Sequence, residues 1–297
     1  MQIYLDCIPC FLRQALDSVR LATDDEKIQE QVVREVLRLA SDLDMSQSPP
    51  AIGQQIHRLI RKLVGENDPY RKIKKRFNNL ALKLYPELKE RVNTSEDPFV
   101  TAIRLAIAGN IIDFGVNSSL EESHVKETIS DSLNGYLDPK QIQSFKDAVT
   151  EAEKILYLAD NAGEVVFDRL LIEQLPCEKV TAVVKGKPVI NDATMEDVEL
   201  AGLSEIVEAI DNGSDAPGTI LGSCSQRFRE RFEDADLVVA KGQGNYETLS
   251  DVEKNIFFIL KAKCPVIARD LGCEVGEMIL RRNEAFRDAV DLVKGAK

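Results

Sequence analysis

Hydrophobic positions in the first third of the chain recur with the period of an α-helix. Ile28, Val32 and Val36 lie four residues apart, and segments with this spacing are separated by short polar, glycine or proline breaks. Few side chains here are typical of a catalytic centre. We therefore predict that residues 1–95 form an all-helical subdomain.

From residue 154 onward, short apolar runs alternate with helical stretches. This alternation is typical of βαβ units and a mostly parallel sheet. The candidate strands are residues 155–159, 179–184, 205–210, 236–240 and 264–268. We therefore predict an α/β domain over residues 96–297, in which a helical lead-in at 96–153 precedes the sheet.

Three of the apolar runs end in a sharply polar cluster. The first is followed by Asp160 and Asn161, the second by Lys185 and then Asp192, and the third by the stretch 241–245. Right-handed crossovers place the C-terminal ends of parallel strands at one edge of a sheet, where open α/β sheets bind ligands. We expect these polar side chains to meet there.

Asp160, Asn161 and Asp192 supply two carboxylates and a carboxamide, which are hard donors suited to Mg²⁺ or Mn²⁺. The only histidines, His57 and His124, lie in helical stretches outside the α/β part, so a histidine-rich zinc site is not expected. A hard cation and nearby lysines together match the chemistry of a phosphate ester.

Lys185 and Lys241 directly follow strands and could each act as a point charge for a phosphate. Gly242 and Gly244 would let the backbone approach a ligand, and Asn245 could donate its amide. The sequence has no Walker A frame, no complete G-x-G-x-x-G and no G-x-S-x-G, so the common nucleotide-binding and serine-hydrolase motifs are not matched.

The formal net charge of −12 argues against a nucleic-acid surface, and no apolar stretch is long enough to span a membrane. The N-terminus lacks the features of a signal peptide, so a cytoplasmic location is expected. Of six cysteines, only Cys7 and Cys10 form a C-x-x-C pair. Burial as small apolar residues, a metal or redox role with another cysteine, and an intracellular disulfide remain open for them.

The chain contains, in order, the segments DCIPCFLRQALD, AGNIIDFG, LADNAGEVVFD, VKGKPVINDAT and VVAKGQGNYE. Together these segments resemble the metal-dependent damage-control phosphatases, a family long catalogued as a domain of unknown function. The C-x-x-C start resembles the compact prokaryotic branch. The resemblance implies a helical part packed on a Rossmann-like α/β domain, and metal-dependent removal of phosphate from small metabolites such as sugar phosphates.

Mapped onto this sequence, the family's metal ligands and catalytic centre fall on Asp160, Asn161 and Asp192. The contacts to the phosphate and sugar of the substrate fall on Asn161 and on Lys241, Gly242, Gln243, Gly244 and Asn245. Motif similarity and charge add Asn110 and Lys185. The eukaryotic branch has an acidic residue where this chain has Gln243, and its late arginine-lysine motif is not placed here.

The resulting hypothesis is hydrolysis of a small phosphorylated metabolite, assisted by Mn²⁺, Co²⁺, Ni²⁺ or Mg²⁺. Attack by water or by a carboxylate remains open, and Glu164 and Asp168 are candidates to protonate the leaving group. Two alternatives use the same cleft: a carboxyl methyltransferase, and a non-enzymatic sensor of phosphometabolites or nucleotides. The sequence does not predict an oligomeric state.

Overall fold

The computed structural model describes residues 1–66, 68–111 and 122–286. The last four residues of the AGNIIDFG segment lie outside these ranges. The helices are α1 (Cys7–Ala22), α2 (Glu26–Ser41), α3 (Pro49–Val64), α4 (Arg71–Thr94), α5 (Pro98–Ile111), α6 (Glu122–Asn134), α7 (Pro139–Glu151), α8 (Glu164–Ile172), α9 (Met195–Leu200), α10 (Gln226–Asp234), α11 (Gly242–Leu249) and α12 (Pro265–Leu271). No helix among the described residues is long and apolar enough to cross a membrane.

The strands are β1 (Ile155–Leu158), β2 (Val180–Val184), β3 (Glu208–Asp211), β4 (Leu237–Lys241), β5 (Ile256–Lys261) and β6 (Met278–Arg282). They form one sheet in the order β3-β2-β1-β4-β5-β6. Strands β1 to β5 pair in parallel, and β6 is antiparallel to β5. The predicted α/β fold with a mostly parallel sheet is confirmed.

Strand β1 lies between β2 and β4, because Leu158 pairs with Val183 on one side and with Ala240 on the other. All residues of β1, β2 and β4 are buried, as expected for strands covered by helices on both faces. The three polar clusters that follow these strands therefore begin side by side at one edge of the sheet.

One predicted strand is wrong: residues 264–268 mostly form helix α12. Pro265 occupies its first turn, where its fixed φ and missing N–H cost nothing, and Cys264 precedes it as an extended N-cap. Val266, Ile267 and Ala268 are all buried, but within a short helix that is enclosed on several sides rather than within a strand. The fifth parallel strand is instead β5, ending at Lys261.

The helical part divides between two hydrophobic cores. The apolar faces of α1, α2 and α3 form a cluster that includes Ala15, Val36 and Ile56. Helix α4 instead contributes Phe77 and Leu84 to the large cluster that contains the sheet. The domain boundary at residue 95 thus stays a prediction, and α4 packs with the α/β part.

Candidate active site

Two loops are joined by their main chains at the end of β1. The Ala193 N–H donates to Asp160 O over 2.8 Å, and the Ala162 N–H donates to Asn191 O over 2.9 Å. Asn161 and Asp192 form an isolated antiparallel bridge between the loops. The loop after β1 and the loop after β2 therefore hold Asp160, Asn161 and Asp192 in a fixed register. We call these three residues the outer group.

The outer group lines one cavity of about 310 Å³, together with Gln243 and Gly244. The opposite wall comes from the helical part. Its residues are Cys10, Arg13, Gln14, Asp17, Ser18 and Tyr70. The expectation that the helical part contributes little chemistry is therefore corrected: helix α1 forms one wall of the cavity.

The carboxylates of the outer group lack enough positive charge around them. Burial, together with the charges of Glu164 and Asp192, raises the pKa of Asp160 well above its usual range, although Lys263 and Lys185 oppose this shift. Burial also raises the pKa of Asp192 to about 6, even though Lys185 Nζ lies 3.5 Å from its Oδ2. A bound divalent cation would relieve both effects.

The donor set of the outer group fits such a cation. Among the described residues, no group of three histidine, cysteine, aspartate or glutamate side chains could hold a metal ion. The candidate site therefore needs the carboxamide oxygen of Asn161 as a third ligand beside the two carboxylates. The Asn161 Nδ2 donates to Asp160 Oδ2 and Glu164 Oε2, both over 2.9 Å, which directs its carbonyl oxygen away from them. The Asp192 Oδ2 is buried without a hydrogen-bond donor. Two carboxylates and few other protein ligands are typical of cations that also bind phosphate oxygens.

A second charged cluster lies beneath the outer group. The Lys241 Nζ donates to Asp168 Oδ1 over 2.6 Å, to Glu164 Oε1 over 2.7 Å and to Ala106 O over 2.9 Å. All three charged side chains are at most 1% exposed. We call Glu164, Asp168 and Lys241 the inner triad. Burial by itself lowers the pKa of Lys241, but its two carboxylate partners outweigh this effect and raise the pKa above its usual value.

The inner triad does not line the cavity. The three protons of the Lys241 ammonium already have acceptors, so the structure does not bring this predicted substrate contact to the cavity. Glu164 and Asp168, the candidate proton donors, do not line it either, although Glu164 Oε2 accepts a hydrogen bond from Asn161 of the outer group. Asn110 joins the two layers, because its Nδ2 donates to Asp160 Oδ2 over 2.9 Å and to Glu164 Oε2 over 3.1 Å.

Three other predicted substrate contacts lie behind the cavity wall. Lys185 is buried, with its ammonium bound to Gly218 O and near Asp192. Asn245 is fully buried, where its Nδ2 donates to Lys241 O over 2.8 Å. Gly242 has φ +76°, and a Cβ there would lie 1.8 Å from Asp160 Oδ2, so only glycine fits.

Besides the wall residues from the helical part, sequence reasoning missed Lys263 and Ile190. Lys263 lines the cavity and lowers the pKa of Asp160, but it follows β5, which the sequence did not reveal. Ile190 also lines it, with an unusual φ of +46° for a β-branched residue. Backbone strain of this kind is often retained beside functional residues, here Asp192 two positions later.

Comparisons with known proteins identify the family of this chain. The family profile of the damage-control phosphatase ARMT1-like domain matches residues 3–279. A damage-control phosphatase of Archaeoglobus fulgidus is 39% identical, over 95% of this chain and 99% of that protein. One of Pyrococcus horikoshii is 36% identical, over 96% of this chain and 99% of that protein.

The crystal structure of a DUF89 family protein from Pyrococcus horikoshii has the same fold. It matches with a TM-score of 0.86 and 34% identity, covering 96% of this chain and 100% of that one. The resemblance seen in the sequence motifs is thus confirmed over nearly the whole chain. This chain belongs to the damage-control phosphatase ARMT1-like domain family.

Proposed function

We propose that this chain is a metal-dependent phosphatase that hydrolyses small phosphorylated metabolites, with sugar-phosphate-like monoesters as the substrate class. The observation that carries the proposal is the shared cavity of Asp160, Asn161 and Asp192 at the ends of adjacent parallel strands. The names of the relatives from Archaeoglobus and Pyrococcus support the reaction class.

Asp160, Asn161 and Asp192 would hold the cation, and their oxygen donors suit Mn²⁺, Co²⁺, Ni²⁺ or Mg²⁺. When bound, such a cation neutralises charge on the phosphoryl oxygens and favours deprotonation of an attacking water. Asn110 supports this site by fixing the Asp160 carboxylate with its amide. Lys185 supports it through Asp192.

We assign contacts with the phosphoryl group to Lys263 and to the first turn of α11. Lys263 lines the cavity near Asp160 and would balance charge on a phosphoryl oxygen. Gln243 and Gly244 also line the cavity, and the first N–H groups of a helix have no acceptor within it. Lys241 and Asn245 then support this turn from behind rather than contacting substrate.

The cavity volume of about 310 Å³ suits a small molecule, at the lower end of ligand-binding pockets. Arg13, Gln14 and Asp17 on α1 line it together with the outer group. An arginine, an amide and a carboxylate can hydrogen-bond to the hydroxyl groups of a polyol. We therefore assign recognition of the leaving group to helix α1.

The test is phosphate release from a panel of sugar phosphates and nucleotides, measured with each of several divalent ions and without a methyl donor. We expect metal-dependent turnover that a chelator silences reversibly. Asp160→Ala should lower turnover by at least ~10³-fold and weaken metal retention while the fold persists. Asp24→Ala is the control, because this exposed aspartate precedes α2 and does not line the cavity.

Wild-type turnover by Asp160→Ala would reject the assignment of the outer group. Ligand-induced stabilisation without any phosphate release would instead favour a sensor. Activity that requires a methyl donor and tolerates a chelator would favour the methyltransferase alternative.

A further inference from the structure

Cys7 and Cys10 occupy the first turn of helix α1, which begins at Cys7. Residues three apart in an α-helix have their Cα atoms ~5 Å apart, within the ~4.4–6.8 Å range that a disulfide spans. Cys7 is half-buried and Cys10 is exposed, and both are free thiols. The Cα spacing of the pair is therefore within the range of a disulfide, and closing the bond requires only a small adjustment in the first turn of the helix.

The pair lies at the edge of the substrate cavity. Cys10 is part of the cavity wall, together with Gln243 and Glu247 of α11. A third thiol, Cys264, accepts a hydrogen bond from Gln243 Nε2 over 3.7 Å. Cysteines from α1 and from the start of α12 thus approach the same side of α11.

Glu247 is the acid beside these thiols. Its Oε1 accepts from Gln243 Nε2 over 3.1 Å, and its charge raises the pKa of both Cys7 and Cys10. Burial raises the pKa of Glu247 to about 7. The N-terminal ammonium group opposes this shift, and Asp270 of α12 adds to it. Because Glu247 lines the same cavity as Cys10, it is the carboxylate of α11 to which we assign proton exchange with these thiols.

We propose that Cys7 and Cys10 form a redox-active dithiol, oxidised by low-molecular-weight disulfides, with Glu247 as the proton acceptor. One thiol loses its proton to Glu247, and its sulfur attacks a disulfide R–S–S–R, forming a mixed disulfide and releasing R–S⁻. The second sulfur, after losing its own proton, attacks the mixed disulfide and releases the second R–S⁻. The protein loses two electrons and two protons, and two R–SH molecules form.

The environment of the thiols favours retention of this disulfide. Desolvation is the largest factor that raises the pKa of both cysteines, and Cys264 adds to it. Disulfides are strongly oxidising where the reduced form is stabilised as a thiolate, and that stabilisation is weak here. We expect a low reduction potential and an oxidation rate that rises with pH. This inference does not depend on the phosphatase activity.

The first test is a redox titration of the full chain with reduced and oxidised glutathione, read by differential alkylation and peptide mass spectrometry. Cys7 and Cys10 should be protected together and appear as one intrachain disulfide. Cys177 and Cys273 are the controls, because both are half-buried like Cys7. Cys7→Ser should leave Cys10 with no intrachain partner.

Alkylation of Cys7 and Cys10 throughout the titration would overturn the proposal. A disulfide that joins Cys10 to Cys264 would also overturn it, as would oxidation of the control cysteines over the same range.

The second test measures the rate of oxidation by glutathione disulfide across the pH range. Glu247→Gln should slow the oxidation by ~10-fold or more near pH ~7 and remove the inflection from the plot of rate against pH. Glu247→Asp should restore part of the rate and part of the inflection. An unchanged rate and profile in Glu247→Gln would exclude Glu247 as the proton acceptor.

Discussion

Two acidic clusters lie next to each other in this protein, and they differ in how closely a lysine pairs with their carboxylates. In the inner triad, Lys241 is paired with Glu164 and Asp168 in full burial. In the outer group, Asp160 and Asp192 face a cavity, and their pKa values are raised by burial. The raised pKa is shared by Asp168 of the inner triad, so the clusters differ in pairing and access: Lys241 contacts both inner carboxylates directly, whereas Lys185 lies 3.5 Å from Asp192 and the outer carboxylates line a cavity.

The two clusters share the segment that follows β1. Glu164 and Asp168 are one turn apart on α8, so both reach the same lysine beneath the sheet edge. Asp160 and Asn161 precede that helix and face the cavity. Amides of Asn110 and Asn161 connect the layers, since each donates to both Asp160 and Glu164. The inner triad therefore lies behind the outer group and is linked to it by these two amides, and we propose that it positions the outer group.

The largest expected effect comes from removing the cation of the inner triad. Lys241→Met leaves two buried carboxylates without a partner and should lower the free energy of unfolding by about 3–5 kcal/mol. Lys154→Met is the matched control, because Lys154 and Asp234 also lie 2.6 Å apart but are about 60% exposed. That control should cost less than about 1 kcal/mol in urea unfolding.

A double variant sharpens this prediction. Asp168→Asn added to Lys241→Met removes one uncompensated charge and should recover part of the lost stability. Equal destabilisation by Lys241→Met and Lys154→Met would show that the inner triad has no special structural role.

A smaller effect is expected where the layers meet. Gly242→Ala combines an unfavourable φ with a Cβ placed 1.8 Å from Asp160 Oδ2. Gly272→Ala has a similar φ of +65° but nothing within 4 Å, so it isolates the backbone strain. Each should lose about 1–3 kcal/mol through strain, and only Gly242→Ala should also displace Asp160 and abolish phosphate release. Equal activity of the two variants would contradict this.

The outer group could be predicted from the sequence, and the inner triad could not. Asp160 and Asp192 follow strands β1 and β2, and the parallel-sheet rule brings them together without side-chain detail. Lys241 also follows a strand, so the same rule predicted a ligand contact. Its direction depends on packing, because its ammonium points inward to Ala106 and to α8.

Lys263 shows the other limit of sequence reasoning. The apolar run Val266–Ala268 was interpreted as a strand, although Pro265 starts a helix there. The neighbouring run, which forms β5, is not among the predicted strands. The rule that residues following a parallel strand lie at the ligand-binding edge therefore did not point to Lys263. Periodicity alone cannot separate short buried strands from short buried helices.

The smallest expected effect is a difference in how pH acts on the two layers. Burial raises the pKa of Asp168 to about 6 in the folded protein, from an ordinary value of 3.8. Between these pH values the folded state keeps a proton that the unfolded state has released, so stability should fall as pH rises from about 4 to about 6. The loss in the free energy of unfolding is on the order of 1–3 kcal/mol. Asp168→Asn should remove the contribution of this group to the dependence of stability on pH.

Asp192 also has a pKa of about 6, so it adds a slope of the same sign in metal-free protein. If Mn²⁺ binds the deprotonated carboxylates of the outer group as proposed, it should reverse the contribution of Asp192 to the pH dependence, because metal-stabilised protein gains stability as pH rises. The loss of stability with rising pH that Asp168 causes should persist in the presence of Mn²⁺, since Lys241 already pairs with this carboxylate. Urea unfolding of Asp168→Asn and Asp192→Asn, with and without Mn²⁺, separates the two. If Mn²⁺ changed the slope equally in both variants, the two clusters would titrate as one site and the division into layers would fail.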